Sequence, residues 1–400
     1  MIQSVFVENF KAIHKAASFP LQPFTVFIGN NGTGKSSILE ALKLLQDAVN
    51  TNLDEAFRNW GGIDKIRNYN AVLSKQEITE KGFKKNINPV IISLTALVNQ
   101  KKYEYQVHIN NSLEGDFYVV EHEELICNGT PVFIADVVSN KGDSVAYVYD
   151  SHYYSSDEPY KFKGDSLMLA FKGSPVLSSG ITEFCDYVEN WQFLYLNAHD
   201  MGKPVLQSRI YRNIRLDYDG RNIAEYILWL KNQGQEYLDN LIRKMSFVLP
   251  YISDLQPNIQ DTFNREVELL LHEKNENSKP LPGWLLSSGT LRILALLSMF
   301  ETPDKPSVLF VDEIENGLDP RTVGLLISLI ESEYRSKEMQ VIATTHSPYF
   351  LDLVPLESII VSEKNNEGSF YHIPKDEESL NKWKEKFSPG KLYSMGKLTK

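Results

Sequence analysis

The pattern of apolar and polar positions predicts a strand, a loop and a helix near the start of the chain. Residues 4–7 and 24–28 are short runs of β-branched and aromatic residues, which is typical of strands. Residues 36–49 instead carry apolar side chains three and four positions apart, which predicts a helix. A loop rich in glycine and asparagine lies between the second strand and this helix, so a strand is expected to turn sharply into a helix.

A β-rich region and then a helical region follow. Apolar residues recur at helical spacing from about residue 181 to 249, but they form no sustained heptads, so no long coiled coil is expected there. Before that stretch, alternating residues predict strands at 90–97, 104–109, 117–120, 124–127, 145–149 and 167–171.

After residue 263 strands and helices alternate again, which is typical of an α/β fold. The predicted helices are 290–300 and 322–334, and the predicted strands are 267–271, 308–311, 340–344 and 358–361. The order of elements predicts one nucleotide-binding domain interrupted by a β-rich and helical lobe. Its parts are 1–110, the inserted lobe 111–262, and 263–400 with a basic tail.

The composition of the chain argues against several classes of protein. The chain has 400 residues and a formal net charge of −11, which argues against a surface that binds nucleic acid throughout. No apolar run is long enough to span a bilayer, and the first residues do not form a signal peptide. The two cysteines, Cys127 and Cys185, form no CxxC pair, and they favour reduced thiols in a cytoplasmic protein.

Two local basic stretches could still contact DNA. Taken alone, each is better explained by a charged, solvated face, and the aromatic residues of the tail could equally dock on the chain's own core. The stretches are Arg209, Arg212, Arg215 and Arg221, and the tail lysines Lys382, Lys384, Lys386, Lys391, Lys397 and Lys400.

A phosphate-binding loop lies between the second strand and the first helix. Its glycines let backbone N–H groups curl around an anion, and the helix that follows adds the positive end of its dipole. The lysine is expected to reach the β- and γ-phosphates of ATP, and the final serine to bind Mg²⁺. The segment fits GxxxxGK[ST] without a mismatch: Gly29, Asn30, Asn31, Gly32, Thr33, Gly34, Lys35 and Ser36.

Two acids end the apolar run 308–311, and a histidine follows the next strand. We expect Asp312 to hold Mg²⁺ and Glu313 to act as the general base toward the attacking water. An apolar run that ends in Asp-Glu is common by chance. The roles given to these two acids are supported by the presence of the loop around Lys35. His346 follows the predicted strand 340–344, so it is expected at the carboxyl edge of a parallel sheet, within reach of the γ-phosphate.

Another anion site is predicted at 287–289, where Ser287, Ser288 and Gly289 precede a helix. Taken alone, the segment is better explained as a plain helix N-cap. Its position shortly before the Asp312–Glu313 strand favours a role in nucleotide binding.

In this order the motifs resemble those of the ABC ATPase superfamily: Walker A, an LSGGQ-like signature, Walker B, D-loop and H-loop. Within it the chain is similar to the RecF/SMC-like branch of AAA-family ATPases, including OLD-type and related phage-defence proteins. The similarity rests on Asn9-Phe10-Lys11 before Walker A and on 287–292, which is close to the branch's SDGTLR form. Ser288 stands in place of the Asp, and Thr290 in place of the usual transporter Gln.

The resemblance implies an ABC-ATPase head, with a P-loop sheet and an antiparallel β-lobe, that binds ATP and Mg²⁺. It also implies a homodimer in which ATP on one chain is completed by the partner's signature and D-loop. The residues carried over to nucleotide binding are Asn9, Lys11, Ser37, Ser287, Ser288, Gly289 and Asp319.

Two functions remain open at this point. The first is an ATP-hydrolysing switch or sensor in anti-phage defence that controls a separately encoded effector, a nuclease or toxin. The chain ends about 50 residues beyond His346, so no nuclease domain of the OLD type is expected within it. The alternative is a RecF-like, ATP-dependent DNA clamp. A transporter subunit is disfavoured by the large insertion, and a small GTPase by the lack of an NKxD motif.

Overall fold

A computed structural model describes most of the chain and groups it into two compact units. The first unit is Met1–Trp191, Leu356–Lys386 and Met395–Lys400, and the second is Gln192–Pro355 and Phe387–Ser394. Residues 76–78 and 84–86 are described by their backbone alone. The described residues are 1–15, 18–71, 76–78, 84–86, 88–111, 117–138, 143–149, 159–171, 179–208, 214–260, 265–275, 279–336, 339–366, 368–374, 380, 383 and 386–398.

The strands are β1 (Ile2–Phe10), β2 (Ile13–Lys15), β3 (Phe19–Pro20), β4 (Phe24–Ile28), β5 (Gln76–Ile78), β6 (Lys84–Asn86), β7 (Val90–Val98), β8 (Lys101–Asn111), β9 (Tyr118–Cys127), β10 (Thr130–Val137), β11 (Asp143–Val148), β12 (Tyr160–Lys163), β13 (Gln192–Leu194), β14 (Val205–Leu206), β15 (Ile252–Ile259), β16 (Glu266–Glu273), β17 (Leu281–Pro282), β18 (Val308–Val311), β19 (Gln340–Thr344), β20 (Ile359–Asn365) and β21 (Gly368–His372).

The helices are α1 (Lys35–Asn50), α2 (Leu53–Arg58), α3 (Ile63–Ile66), α4 (Ser179–Glu189), α5 (Ala198–Met201), α6 (Ile223–Gln233), α7 (Gln235–Val248), α8 (Ser288–Ser298), α9 (Pro320–Arg335), α10 (Pro348–Leu351) and α11 (Pro389–Ser394). Short 3₁₀ turns lie at Met168–Phe171, Gly283–Leu285 and Leu356–Ser358. Within the described residues, no helix has both the length and the apolar character needed to cross a membrane.

The first unit contains a large antiparallel sheet whose strands run in the order β12-β11-β10-β9-β8-β7-β1-β2, with β3 beside β1. Burial alternates along β7 and β8, because one face of the sheet packs on the core and the other meets solvent. Helices α1 and α4 lie against each other in that core. The side chain of Gln46 on α1 ties them by donating to the carbonyl oxygens of Val188 and Trp191 at 3.2 and 2.7 Å.

A second group of strands in the first unit carries the phosphate loop. Strand β4 is buried at every position and pairs in parallel with β20, which pairs antiparallel with β21. The chain leaves β4 through the glycine-rich loop and enters α1, whose apolar positions face the core. This is the strand, loop and helix that the pattern predicts.

The second unit is built on a parallel group of strands in the order β13-β18-β19. All residues of β18 and β19 are buried, as expected for parallel strands covered on both faces. Beside them, β14, β15, β16 and β17 form a smaller antiparallel sheet. Helix α7 is tied to α9 by an ion pair, 2.7 Å long, between Lys244 and Glu333.

The predicted strands and helices are confirmed with three kinds of exception. Segments 117–120 and 124–127 belong to one strand, β9, rather than two. The predicted strand 167–171 is wrong, because Met168–Phe171 forms a 3₁₀ turn. The mainly helical stretch predicted from 181 to 249 also contains β13, a three-residue strand beside β18.

Candidate functional site

The phosphate loop has the backbone that its glycines allow. Gly29, Gly32 and Gly34 have φ angles of 158°, 78° and 99°. A Cβ on Gly29 would lie 2.1 Å from the carbonyl oxygen of Ser362, so no larger residue fits there. The Lys35 ammonium crosses the loop and donates to the carbonyl oxygens of Gly29 and Asn30 at 2.8 and 2.9 Å.

The start of α1 fits a phosphate group. Its N-cap is Gly34, which provides no side chain to accept hydrogen bonds from the first turn. A 16-residue helix leaves several N–H groups without helical partners at that end, and it adds the positive end of its dipole. Ser36 is half-buried at the first turn, where its hydroxyl is the kind of oxygen donor that Mg²⁺ prefers, whereas Ser37 is buried.

Strands β20 and β21 hold the loop from behind. Ser362 donates to the carbonyl oxygen of Thr33 at 2.6 Å, and the Tyr371 hydroxyl donates to that of Gly34 at 2.9 Å. Thr33 also closes the loop on itself by donating to the Asn30 carbonyl at 2.9 Å. Asn30, Asn31 and Gly32 are left exposed at the tip of the loop.

Asn9 lies near the end of β1 and Lys11 directly follows that strand, and both have positive φ angles, of 59° and 47°. Asn9 is buried and donates to the Pro89 carbonyl at 2.9 Å. The ammonium of Lys11 lies 2.6 Å from Glu40 of α1 and 4.3 Å from the centroid of the Trp60 ring. Both side chains therefore have partners within the first unit.

Asp312 and Glu313 follow β18 in the second unit and share one buried threonine. The Thr344 hydroxyl donates to Asp312 Oδ1 and accepts from the backbone N–H of Glu313 at 2.8 Å. The backbone N–H of Asp312 in turn donates to the Leu194 carbonyl at 2.9 Å. The carboxyl end of three parallel strands therefore fixes both acids, as their position after an apolar run predicts.

The Glu313 carboxylate is held in a defined orientation. Glu313 has a φ of 50°. Positive φ angles are rare for residues other than glycine, and they are often found at functional sites. Asn316 Nδ2 donates to Glu313 Oε2 at 3.0 Å, and His346 Nε2 lies 4.0 Å from Glu313 Oε1. Glu315 accepts from the backbone N–H of His346 at 2.8 Å, which fixes the turn that carries the imidazole.

A cavity of about 500 Å³ opens beside these acids within the second unit. Its walls include Tyr195 and Tyr218, whose rings stack with centroids 5.9 Å apart, and Asn197 at the carboxyl end of β13. Arg292 of α8 closes another side. Burial lowers the pKa of this guanidinium, while the nearby charge of Glu313 acts in the opposite direction.

The segment 287–289 starts α8. Ser287 is its N-cap and accepts from the backbone N–H of Thr290 at 3.1 Å, so the plain capping role is present. Ser288 is exposed, and a Cβ on Gly289 would lie 2.8 Å from the Gly317 carbonyl oxygen. Asp319 caps α9 in the same way, and hydrogen bonds from Thr322 lower the pKa of its carboxyl group.

The structure describes only part of the basic stretch from Arg209 to Arg221. Arg209 and Arg212 lie outside the described residues. Arg215 is exposed, whereas Arg221 is paired with Asp219, which accepts from its Nε at 2.8 Å.

Part of the tail packs on the chain itself. Gly390 of α11 donates its backbone N–H to Asp352 at 2.6 Å, and Leu392 is buried. Lys391 is exposed, and the Lys397 ammonium lies 5.5 Å from the Trp383 ring centroid. Lys386 is also exposed, and Lys382, Lys384 and Lys400 lie outside the described residues.

The residues that surround Glu313 were not predicted from the sequence. Asn316 lies three positions after it, which places it in the same turn, and Arg292 lies one helical turn after Ser288. Thr344 lies just before His346 in sequence and could have been found by its position at the end of a buried strand. The two stacked tyrosines gave no signal, because neither forms a pattern with a neighbour.

A family model and a known protein match most of this chain. The model of a family described as "AAA domain, putative AbiEii toxin, Type IV TA system" matches residues 24–138 and 200–352. A protein of Helicobacter pylori (strain ATCC 700392 / 26695) named ATP/GTP phosphatase is 23% identical over 365 residues, which cover 88% of this chain and 87% of that protein.

Two solved SMC head structures match along most of this chain. An SmcHead bound to the C-winged helix domain of ScpA is 17% identical, with a TM-score of 0.54, and the match covers 93% of this chain and 96% of that one. An SMC head domain from Thermotoga maritima is 14% identical, with a TM-score of 0.45, and the match covers 93% and 98%. The likeness to the SmcHead confirms the expected α/β fold of an ABC-type ATPase head.

Proposed function

Because the chain belongs to the family described as an AAA domain, putative AbiEii toxin of a type IV TA system, it is an ATPase, and we propose that it acts as an ATP-driven switch. In this proposal ATP joins two copies head to head, and hydrolysis lets them separate. The observation that carries the proposal is that one chain combines the loop around Lys35 with a strand that ends in Asp312 and Glu313. The name of the Helicobacter pylori relative, ATP/GTP phosphatase, is in line with this activity.

The proposed reaction divides the work between these side chains. The loop N–H groups and Lys35 bind the β- and γ-phosphates, and Ser36 and Asp312 would hold Mg²⁺, which would offset the negative charge of the phosphate oxygens. Glu313 accepts a proton as a water oxygen bonds to the γ-phosphorus and the bond to the β–γ bridging oxygen breaks. During this step His346 donates a hydrogen bond to the γ-phosphate. ADP and phosphate then leave.

In the proposed dimer, the exposed start of α8 contacts the nucleotide that the partner chain binds. Ser288 is exposed, and an 11-residue helix begins at it, so the segment 287–289 presents hydroxyl and N–H groups to an anion. Asp319 is assigned to the same interface, although it also caps α9 within its own chain. Asn9, Lys11 and Ser37 are assigned to the nucleotide bound by their own chain.

The role in defence rests on the family description, which names an AbiEii toxin and a type IV TA system. We propose that the closed dimer holds or releases a separately encoded nuclease or toxin. The basic residues give the DNA clamp less support, since Arg221 is neutralised by Asp219. DNA binding is therefore an alternative outcome of the second test below.

The first test measures ATP hydrolysis and ATP binding by variants of the two assigned residues. Glu313→Gln should lower kcat by roughly 100-fold or more while ATP binding persists, because only the proton acceptor is lost. Lys35→Ala should lose ATP binding itself. Lys65→Ala, which changes an exposed lysine of the same unit, is the control. Hydrolysis at the wild-type rate by Glu313→Gln would contradict the assignment of the base.

The second test asks what the switch controls. The protein would be purified together with the product of the neighbouring gene, and the mass of the complex would be measured with ATP for wild type and Glu313→Gln. We expect the variant to hold a larger assembly that contains the partner. If the protein stays without that partner but gains tight binding to DNA, the clamp function replaces the proposed one.

A further inference from the structure

The turn after β18 and the first turns of α8 meet beside the Glu313 carboxylate. Gly317 has a φ of 74°, and a Cβ placed on it would lie 3.4 Å from the Ser288 hydroxyl and 3.8 Å from Cδ of Arg292. The stem of Arg292 therefore runs along this glycine. Its guanidinium and Glu313 line the same cavity.

Two groups of different chemistry act on Glu313 there. The amide of Asn316 donates to Oε2 at 3.0 Å, which fixes one carboxylate oxygen and leaves Oε1 toward His346, 4.0 Å away. The half-buried guanidinium of Arg292 adds a positive charge to this cavity; burial lowers the pKa of the guanidinium, and the nearby charge of Glu313 raises it. In a cavity partly shielded from water, such a charge orients a carboxylate more strongly than it would at an open surface.

We propose that Asn316 and Arg292 are positioning residues that set the orientation of the Glu313 carboxylate, and that Arg292 links this orientation to the start of α8 in the same chain. Ser288 and Arg292 lie one turn apart on one helix, and both contact the turn at Gly317. A partner nucleotide that moves Ser288 therefore also moves the cation beside Glu313. This inference rests on the proposed function, in which Glu313 is the base.

The test compares hydrolysis by Asn316→Ala, Arg292→Gln and Arg292→Lys in the full-length protein. We expect Asn316→Ala and Arg292→Gln each to lower kcat by about tenfold or more with KM and ATP affinity within about threefold, because orientation is lost and binding is kept. Arg292→Lys should recover part of the rate. Arg335→Gln on α9, which removes an exposed arginine of the same unit, should leave kcat unchanged.

A double-mutant cycle with Glu313→Gln separates positioning from a general structural role. Single-turnover rates are measured with enzyme in excess, so that the residual hydrolysis can be followed. If the two residues act through Glu313, neither substitution lowers the residual rate of Glu313→Gln further. An equal loss in both backgrounds, or a loss of ATP affinity alone, would overturn the proposal.

The outcomes also distinguish this inference from the proposed function. If Glu313→Gln hydrolyses ATP at the wild-type rate, the assignment of the base fails, and the positioning roles fail with it. If Glu313→Gln is inactive but Asn316→Ala and Arg292→Gln keep the wild-type kcat, only the positioning roles fail. Should Arg292→Gln not fold, as judged by thermal unfolding, kcat of Arg292→Lys decides the role of Arg292, and Asn316→Ala, at an exposed position, decides that of Asn316.

Discussion

At the scale of single residues, Glu123 stands out among the acids outside the candidate site because it is buried and its pKa is raised. It is fully buried in β9 and accepts hydrogen bonds from the Met168 and Leu169 N–H groups at 2.5 and 3.1 Å and from the Tyr105 hydroxyl at 2.9 Å. Burial raises the pKa of its carboxyl group to about 7, because desolvation outweighs the hydrogen bonds that favour the charged form.

Glu123 should make the stability of the protein fall as the pH rises from about 4.5 to about 7. In this window the unfolded chain releases the Glu123 proton while the folded chain keeps it, so the folded state binds more protons and loses stability with rising pH. Compared with Glu123→Gln, wild type should lose on the order of 2–3 kcal/mol of unfolding free energy between pH 5 and pH 8.

Chemical denaturation at both pH values measures this difference. Glu124→Gln is the matched control, because the next side chain along β9 points to the opposite face of the sheet and is only half-buried. Equal pH dependence in wild type and Glu123→Gln would show that the buried carboxyl group does not titrate in this range.

The same residue explains the one element whose type the sequence analysis predicted wrongly. Alternation of apolar residues at 167–171 favours a strand, but the Glu123 carboxylate captures the N–H groups of Met168 and Leu169 and bends the chain into a 3₁₀ turn. That carboxylate lies 45 residues away in sequence, so no local pattern could reveal it. The loop around Lys35 was predictable because its conformation depends on its own glycines.

At the scale of elements, the phosphate loop depends on the strand behind it. Tyr371 of β21 is packed against Phe27 of β4, with ring centroids 6.1 Å apart, and its hydroxyl donates to the Gly34 carbonyl. Gly34 is the N-cap of α1, so this hydrogen bond fixes the point at which the loop becomes a helix. Strand pairing between β20 and β21 thereby sets the shape of the loop.

Tyr371→Phe should weaken ATP binding by several-fold and lower the free energy of unfolding by about 1–2 kcal/mol, because a carbonyl group loses its donor at a buried position. Equilibrium titration with a fluorescent ATP analogue and chemical denaturation measure the two effects. Tyr69→Phe makes the same chemical change at a side chain that is 99% exposed, and it should change neither. Unaltered ATP affinity in Tyr371→Phe would show that the loop keeps its shape without β21.

The acids after β18 were predictable because their position depends on the local sequence pattern. The residues that hold them were not predicted. An apolar run that ends in two acids places them at a sheet edge whatever surrounds them. The partners of Glu313 come from α8, from the end of β19 and from the turn at Asn316, and only the fold brings these three segments together. A carboxylate can thus be found from sequence while its orientation cannot.

At the scale of the whole molecule, the proposed reaction needs Lys35 and Glu313 of the same chain, which lie far apart in sequence. The proposed dimer adds a further requirement, because the nucleotide of one chain is completed by 287–289 of the other. In a symmetric pair, a defect at Lys35 of one chain and a defect at 287–289 of the other therefore affect the same nucleotide. The site of the second nucleotide stays intact.

A mixture of Lys35→Ala and Ser288→Arg chains tests this arrangement. Each variant alone should be nearly inactive, because Lys35→Ala cannot bind ATP and Ser288→Arg places a bulky side chain at the exposed start of α8. In an equal mixture half of the pairs combine both chains and keep one intact site of two, so the rate should recover to about a quarter of wild type. If each chain completes its own site, mixing two defective chains restores nothing. The mass of the mixed pair, measured with ATP and with Glu313→Gln added to both chains, separates a failure to pair from a failure to hydrolyse.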